Sequence, residues 1–167
     1  MNTPEGNLIK TVQKGFKKQR IVMQRLEDMY AVGLPDCCYH MENLPGSGFI
    51  EFKQRPEWPK RPTTPVKVTH FTPQQRGWML FNGPFVQRVF LLLRVSTTYM
   101  LFPWTAIKNI GKLNRVDLIH LAECQGGAWG NTINYPEMRE ILRRNYVAQK
   151  IRPIKCTDRE RIGEGEW

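Results

Sequence analysis

The side chains best equipped for chemistry lie between Gly33 and Lys53. Glu51 and Lys53 are two residues apart in the run Phe49-Ile50-Glu51-Phe52-Lys53. In a β-strand that spacing turns both toward one face, while Ile50 and Phe52 point to the other. A carboxylate and an ammonium then sit side by side on an edge of the sheet, on a strand held in place by its apolar residues. Asp36 enters from the preceding turn and strand of the same hairpin, so it could converge on Glu51. Two carboxylates within reach of one cation suit Mg²⁺, a hard ion that prefers oxygen ligands and keeps several waters. Such an ion lowers the pKa of a bound water and supplies an electrophile. Lys53 could orient that water or stabilise developing negative charge. Phosphodiester hydrolysis needs these functions together. An E-x-K pair by itself is common by chance and usually means two solvated side chains, so the surrounding elements decide.

Those elements can be read from local signals. Thr3-Pro4-Glu5 has the form of a helix start, with Thr3 as cap and Pro4 at the first helical position. Leu8, Ile9, Val12 and Phe16 recur at helical spacing, with lysines on the other faces. Ile21 to Leu26 fits a strand or an extended link, and Gly33-Leu34-Pro35 breaks the chain. Cys37 to Met41 and Phe49 to Lys53 read as the two strands of a hairpin around Leu44-Pro45-Gly46-Ser47-Gly48. Four prolines, Pro56, Pro59, Pro62 and Pro65, make the next stretch an irregular loop. Trp58, Lys60 and Arg61 could form a surface arm against nucleic acid there, or Trp58 could pack on the body. Thr72-Pro73-Gln74-Gln75 opens a second helix with a capping box, ended by Phe81 and an Asn82-Gly83-Pro84 turn. Val89 to Val95 is apolar enough for a strand buried on both faces, with Tyr99 to Trp104 as its neighbour. A short helix near Thr105 to Leu113, a strand near Val116 to Leu121 and a loop from Gln125 to Asn131 follow. Asn134, Glu137, Met138, Ile141, Leu142 and Tyr146 then describe a capped amphipathic helix. This order predicts an α/β sandwich around a mixed sheet.

The run Gly33-Leu34-Pro35-Asp36, followed by Phe49-Ile50-Glu51-Phe52-Lys53, resembles the signature of the PD-(D/E)xK nuclease superfamily. The run Phe71-Thr72-Pro73-Gln74-Gln75-Arg76-Gly77-Trp78 resembles the S-x-x-Q-x-x-W helix of virus-type replication-repair nucleases (VRR-NUC) and of archaeal-type Holliday junction resolvases. The resemblance covers roughly Glu5 to Trp104. It implies a restriction-endonuclease-like α/β core, a mixed β-sheet flanked by helices. The nuclease domain is expected at 1–124 and a C-terminal extension at 125–167, made of a loop, a basic helix and a mobile tail. In that superfamily the residues matching Asp36 and Glu51 bind the divalent ion and the one matching Lys53 assists the attack. By the same resemblance Gln75 lies near the active site, and Glu5 matches the acidic residue that the first helix adds to the metal site. Glu27 and Asp28 are rivals for that last role. The sequence departs from the pattern in its longer Pro-rich insertion and in Thr72, which stands in place of Ser.

The activity so implied is a Mg²⁺-dependent, structure-selective DNA endonuclease, a Holliday junction resolvase of viral or phage type, with Mn²⁺ able to substitute. Paired cuts at a four-way junction imply a twofold homodimer. A nickase, flap or restriction-like endonuclease is the alternative within the enzyme class. A DNA-binding protein that keeps the fold without turnover is the alternative outside it. Gln75 also has a plain structural role as the partner of Thr72, and Glu5 suits a helix N-terminus by charge alone. His40 and His70 read as ordinary hydrogen-bonded residues, and Trp78 as a core anchor.

Composition agrees with a polyanion partner. The 167 residues carry a formal charge of +10, concentrated toward the two ends of the chain. Neutralising phosphates releases condensed counterions, and Lys10, Lys14, Lys17, Lys18, Arg55, Lys60 and Arg61 are the candidate contacts. With 41% hydrophobic residues the chain supports a packed core. The four cysteines form no CxxC pair, so zinc is not expected. Neither a signal peptide nor a membrane-length apolar run is present, and a cytoplasmic location is expected, the host cytoplasm if the source is viral.

Overall fold

The computed structural model describes residues 3–26 and 32–145. Helix α1 (Pro4–Lys18) begins as its cap signal predicts, with the Thr3 hydroxyl accepting the Gly6 N–H at 3.1 Å. Leu8, Ile9, Val12 and Phe16 form its buried stripe. Three antiparallel strands follow, β1 (Ile21–Arg25), β2 (Cys37–Met41) and β3 (Gly48–Arg55). Helix α2 (Pro73–Val86) then crosses over so that β4 (Val89–Val95) lies parallel to β3. Parallel neighbours require such a crossover. Strand β5 (Thr98–Pro103), a 3₁₀ helix (Trp104–Asn109), α3 (Arg115–Gln125), β6 (Gly127–Trp129) and α4 (Tyr135–Arg143) complete the described chain. The result is one mixed sheet in the order β1-β2-β3-β4-β5-β6, parallel only between β3 and β4.

Both faces of the sheet are covered. On one, Ile50, Phe52, Phe90 and Leu92 pack under α1 and α4 through Leu8, Val12, Met138 and Leu142. On the other, Leu91, Leu93, Met100 and Phe102 pack with Met79 of α2, with Ile107 and with Leu118 of α3. Strand β4 contributes to both layers, which is why its sequence is a continuous apolar run rather than an alternation.

Four local expectations change. Residues 116–121 are helical, because Asn114 caps the segment by accepting the Asp117 N–H. Leu118, Leu121 and Ala122 then share a buried face at i, i+3, i+4 spacing, while Val116 stays exposed. Helix α2 runs through Asn82-Gly83-Pro84 and ends at Gln87 in a left-handed conformation. Gly83 is held under the Trp104 ring, where a Cβ would lie 2.3 Å from Cδ2, so packing carries the helix past its proline. Residues 127–129 form β6 against β5 instead of a loop. Finally, β3 is an interior strand, not an edge, because β4 docks on its far side.

Residues 127–142, expected in the C-terminal extension, supply a strand to the sheet and Met138, Ile141 and Leu142 to the core. The expected mobile tail, Tyr146, Glu27 and Asp28 lie outside the described residues. Among the described residues no helix is long and apolar enough to cross a membrane.

Candidate active site

The hairpin formed by β2 and β3 stops pairing just where the chemistry-bearing residues begin. Its last ladder pair is Cys37 with Ile50. Continuing the register would set Pro35 opposite Phe52, and proline has no N–H to give. The Phe52 N–H is bound by the Asp36 carboxylate, with Oδ2 accepting it at 2.8 Å. In return the Asp36 N–H donates to Glu51 Oε2 at 3.2 Å. Two backbone N–H groups are thus bound by side chains from across the hairpin, and Asp36 and Glu51 are locked together by the strand backbone. On its other side, the Asp36 carbonyl accepts the Leu26 N–H at 2.8 Å, so β1 steadies the turn.

Glu51 and Lys53 share one side of β3, in register with Leu91 and Leu93, whereas Ile50 and Phe52 enter the opposite core. Both polar side chains are buried, Glu51 at 0% and Lys53 at 3% exposure. Lys53 Nζ lies 2.7 Å from Glu51 Oε1 and 3.8 Å from Glu5 Oε1. Glu5 stands in the first turn of α1, and its carboxylate comes within ion-pair distance of Lys53. Lys10, Lys14, Lys17 and Lys18 lie about half a turn away and are exposed. The ion-pair chain Glu5, Lys53, Glu51 therefore joins the first helix to the hairpin.

Burial pushes the Glu51 carboxyl up to about 7, with the neighbouring Asp36 charge as the second cause; Lys53 and the Asp36 N–H act in the opposite direction. Oε1 of Glu51 is buried without a hydrogen bond of good geometry, even with Nζ so near. A buried carboxylate with an open lone pair, beside a second carboxylate that raises its proton affinity, is a setting that a divalent cation relieves. Among the described residues no three His, Cys, Asp or Glu side chains form a ready-made metal cluster. The donor set fits an ion of the Mg²⁺ kind, which takes one or two carboxylates and keeps waters for the rest.

Gln75 closes the capping box of α2. Its N–H donates to Thr72 Oγ1 at 3.2 Å, and its Oε1 accepts the Thr72 N–H at 3.0 Å. These bonds tie its side chain to the helix start. The helix start itself is close by, through Gly33. At φ +87°, a Cβ on Gly33 would stand 2.5 Å from the Gln74 carbonyl oxygen. Gly33 is thus the residue that lets the Pro35-Asp36 turn lie against α2. The signal was present as a glycine just ahead of Pro-Asp, but its neighbour across the fold was not.

Of the other expected DNA contacts, Arg55 uses its guanidinium on the backbone, donating to the carbonyls of Glu57 at 2.7 Å and Lys67 at 2.9 Å. Those bonds brace the Pro-rich loop, as does the Val66 N–H bonded to the Leu113 carbonyl at 2.8 Å. Trp58 packs on the body with the Arg115 guanidinium 4.8 Å from its ring centroid, while Lys60 and Arg61 remain exposed. Trp78 packs on Phe49 at 5.2 Å, the core role expected of it. His40 is exposed and lies 3.3 Å from Ser47 Oγ.

No protein-family model matches the chain, and no curated protein matches it. Among solved structures it is similar to Hjc, a Holliday junction resolvase from the archaeal hyperthermophile Archaeoglobus fulgidus. The TM-score is 0.42 and the identity 14%, over 61% of this chain and 74% of that one. A likeness at that level says nothing of chemistry, which has to be argued from the side chains.

Proposed function

We propose that the protein is a divalent-metal-dependent endonuclease of the PD-(D/E)xK type that acts on branched DNA, a Holliday junction resolvase of viral or phage type working as a homodimer. The observation that carries this reading is the interlocked trio of Asp36, Glu51 and buried Lys53 at the point where β2 and β3 part. Asp36 and Glu51 would hold the ion, with Glu5 as a third acidic group nearby. When bound, the ion supplies an electrophile for the phosphate and lowers the pKa of its water. Glu51 contributes a charge whose proton affinity is raised by burial, so it binds a cation more eagerly than an exposed carboxylate. Asp36 fixes the position of Glu51 through its backbone N–H and adds the second negative oxygen. Lys53, held at 2.7 Å from Glu51 by burial rather than by a flexible surface, presents an ammonium that can orient water or stabilise charge on the phosphate. The net charge of +10 supports a nucleic-acid substrate.

The test compares wild type with Lys53→Ala on a labelled four-way junction, a flap, a linear duplex and a single strand, in Mg²⁺, Mn²⁺ or EDTA. Symmetric junction cuts that require the ion and vanish in the variant are expected. Equal cutting of linear duplex would move the protein to a general endonuclease. Tight binding with no cleavage of any substrate would make it a DNA-binding protein on a nuclease scaffold.

A further inference from the structure

The lysines of α1 are matched by a second cationic surface that the fold assembles from two segments far apart in the chain. Residues 56–70 and 108–117 together hold six lysines and arginines, Lys60, Arg61, Lys67, Lys108, Lys112 and Arg115, against two acids, Glu57 and Asp117. All six cations are exposed, and Asp117 accepts from the Asn114 amide at 2.8 Å. The segments meet at two points. The bond from the Val66 N–H to the Leu113 carbonyl has Lys67 and Lys112 as its chain neighbours. The Arg115 guanidinium lies over the ring of Trp58, two residues before Lys60.

This surface belongs to the layer opposite α1. Trp58, Val66 and Leu113 pack into the core shared with α2 and α3, whereas α1 and its exposed lysines cover the other face of the sheet. The candidate site lies between the two. Lys53 meets Glu5 at the start of α1, and the loop leaves β3 at Arg55, only about 7 Å further along the strand. The loop is also braced. Arg55 holds the carbonyls of Glu57 and Lys67, and the Thr64 N–H closes a turn on the Arg61 carbonyl at 3.1 Å. Pro56, Pro59, Pro62 and Pro65 fix their own φ angles. A ridge ordered in advance loses little backbone freedom on binding, so more of its attraction for phosphates is expressed as affinity.

We infer that the proline-rich loop and the 108–115 segment form a second nucleic-acid surface, which holds one duplex arm of a branched substrate while the α1 lysines hold another. The inference rests on the reading of the chain as an enzyme of branched DNA. On a plain duplex the two surfaces are alternatives, so removing one costs at most about twofold in affinity. On a junction they act together through one rigid body, and removing one costs its full contribution. Selectivity for a branch then follows from where the cations stand, with no need to read a base.

Fluorescence anisotropy of a labelled four-way junction and of a linear duplex, in EDTA and across a salt series, tests it on the full chain. Wild type is compared with Lys60→Ala/Arg61→Ala/Lys112→Ala and with the charge-preserving Lys60→Arg/Arg61→Lys/Lys112→Arg, circular dichroism serving as folding control. Losing three phosphate contacts should lower the slope of log affinity against log salt by about 3 and weaken junction binding on the order of a hundredfold at about 0.15 M salt. Duplex binding should fall by about twofold at most, and the charge-preserving variant should bind both as wild type does. An alanine variant with unchanged junction affinity and salt slope overturns the inference. So does an equal loss on duplex and junction, which would make this the main duplex site, and so does a loss in the charge-preserving variant. An alanine variant that keeps its DNA affinity but releases phosphatidylserine vesicles gives the surface to lipid and overturns it too. Because binding is read without metal, expected binding with no cleavage in Mg²⁺ keeps the surface and removes the nuclease reading, whereas cleavage with unaltered binding by the alanine variant does the reverse.

Discussion

In metal-free protein, the buried Glu51 carboxyl should make stability fall as pH rises, and Glu51→Gln should abolish that dependence. The folded-state pKa of about 7 lies above the ordinary value of 4.5, so the group stabilises the fold fully below 4.5. That contribution is lost as pH rises through 7, because ionisation is easier in the unfolded chain. A difference of that size corresponds to about 3 kcal/mol at about 1.4 kcal/mol per pH unit. Glutamine keeps the shape of the side chain but does not titrate. It also deprives buried Lys53 of its nearer charged partner, which lowers the variant's stability overall, so the informative quantity is how the wild-type advantage changes with pH. Urea unfolding in EDTA at pH 4.5, 6, 7 and 8 should show that advantage shrinking by about 3 kcal/mol, a midpoint shift of roughly 1–2 M at the denaturant sensitivity usual for a small domain. Adding Mg²⁺ should restore stability at pH 8 and do little at pH 5, where the proton competes. Parallel pH curves for the two proteins would mean that Glu51 is an ordinary carboxylate, and the argument from a desolvated metal-hungry site would fail.

Asp36→Asn should keep the Phe52 N–H bonded and the fold intact while abolishing metal-dependent cleavage. Asp36→Ala should in addition cost about 1–3 kcal/mol in chemical denaturation, because a strand N–H loses its acceptor. Gly33→Ala should destabilise by about 1–3 kcal/mol, from strain at positive φ and from the close approach to the Gln74 carbonyl, and cleavage should suffer with it. Gln75→Ala should cost about 1 kcal/mol through the lost capping box, and a cleavage loss beyond that expected from stability would assign Gln75 a role in the site. Cys37, buried and pushed up to about 12 by desolvation with Asp36 adding to it, should resist iodoacetamide at pH 8 in the native protein. Exposed Cys124 should be alkylated under the same conditions, as peptide mass spectrometry would read.

Sequence by itself determined whatever depends on a few neighbouring residues. Alternation along 49–53 separates Glu51 and Lys53 from Ile50 and Phe52, and the structure keeps that division. Thr3, Thr72 with Gln75, and Asn134 cap the helices they precede, because a cap is a bond between residues two or three apart. The continuous apolar run 89–95 announced a strand with two cores. Tertiary structure decided the rest, since it depends on partners far away in the chain. Residues 116–121 have β-branched and apolar types that suit either period, and the buried side offered by β5 and the 3₁₀ helix selects the helix. Pro84 stays within α2 because Gly83 is packed against Trp104. The interior position of β3 follows from the parallel docking of β4, a pairing made through a crossover rather than a turn. The site divides along the same line. That Asp36, Glu51 and Lys53 belong together is written in one short stretch. That the ladder ends at Cys37 with the Phe52 N–H bound by the Asp36 carboxylate, and that Glu5 meets Lys53, are consequences of register and tertiary structure.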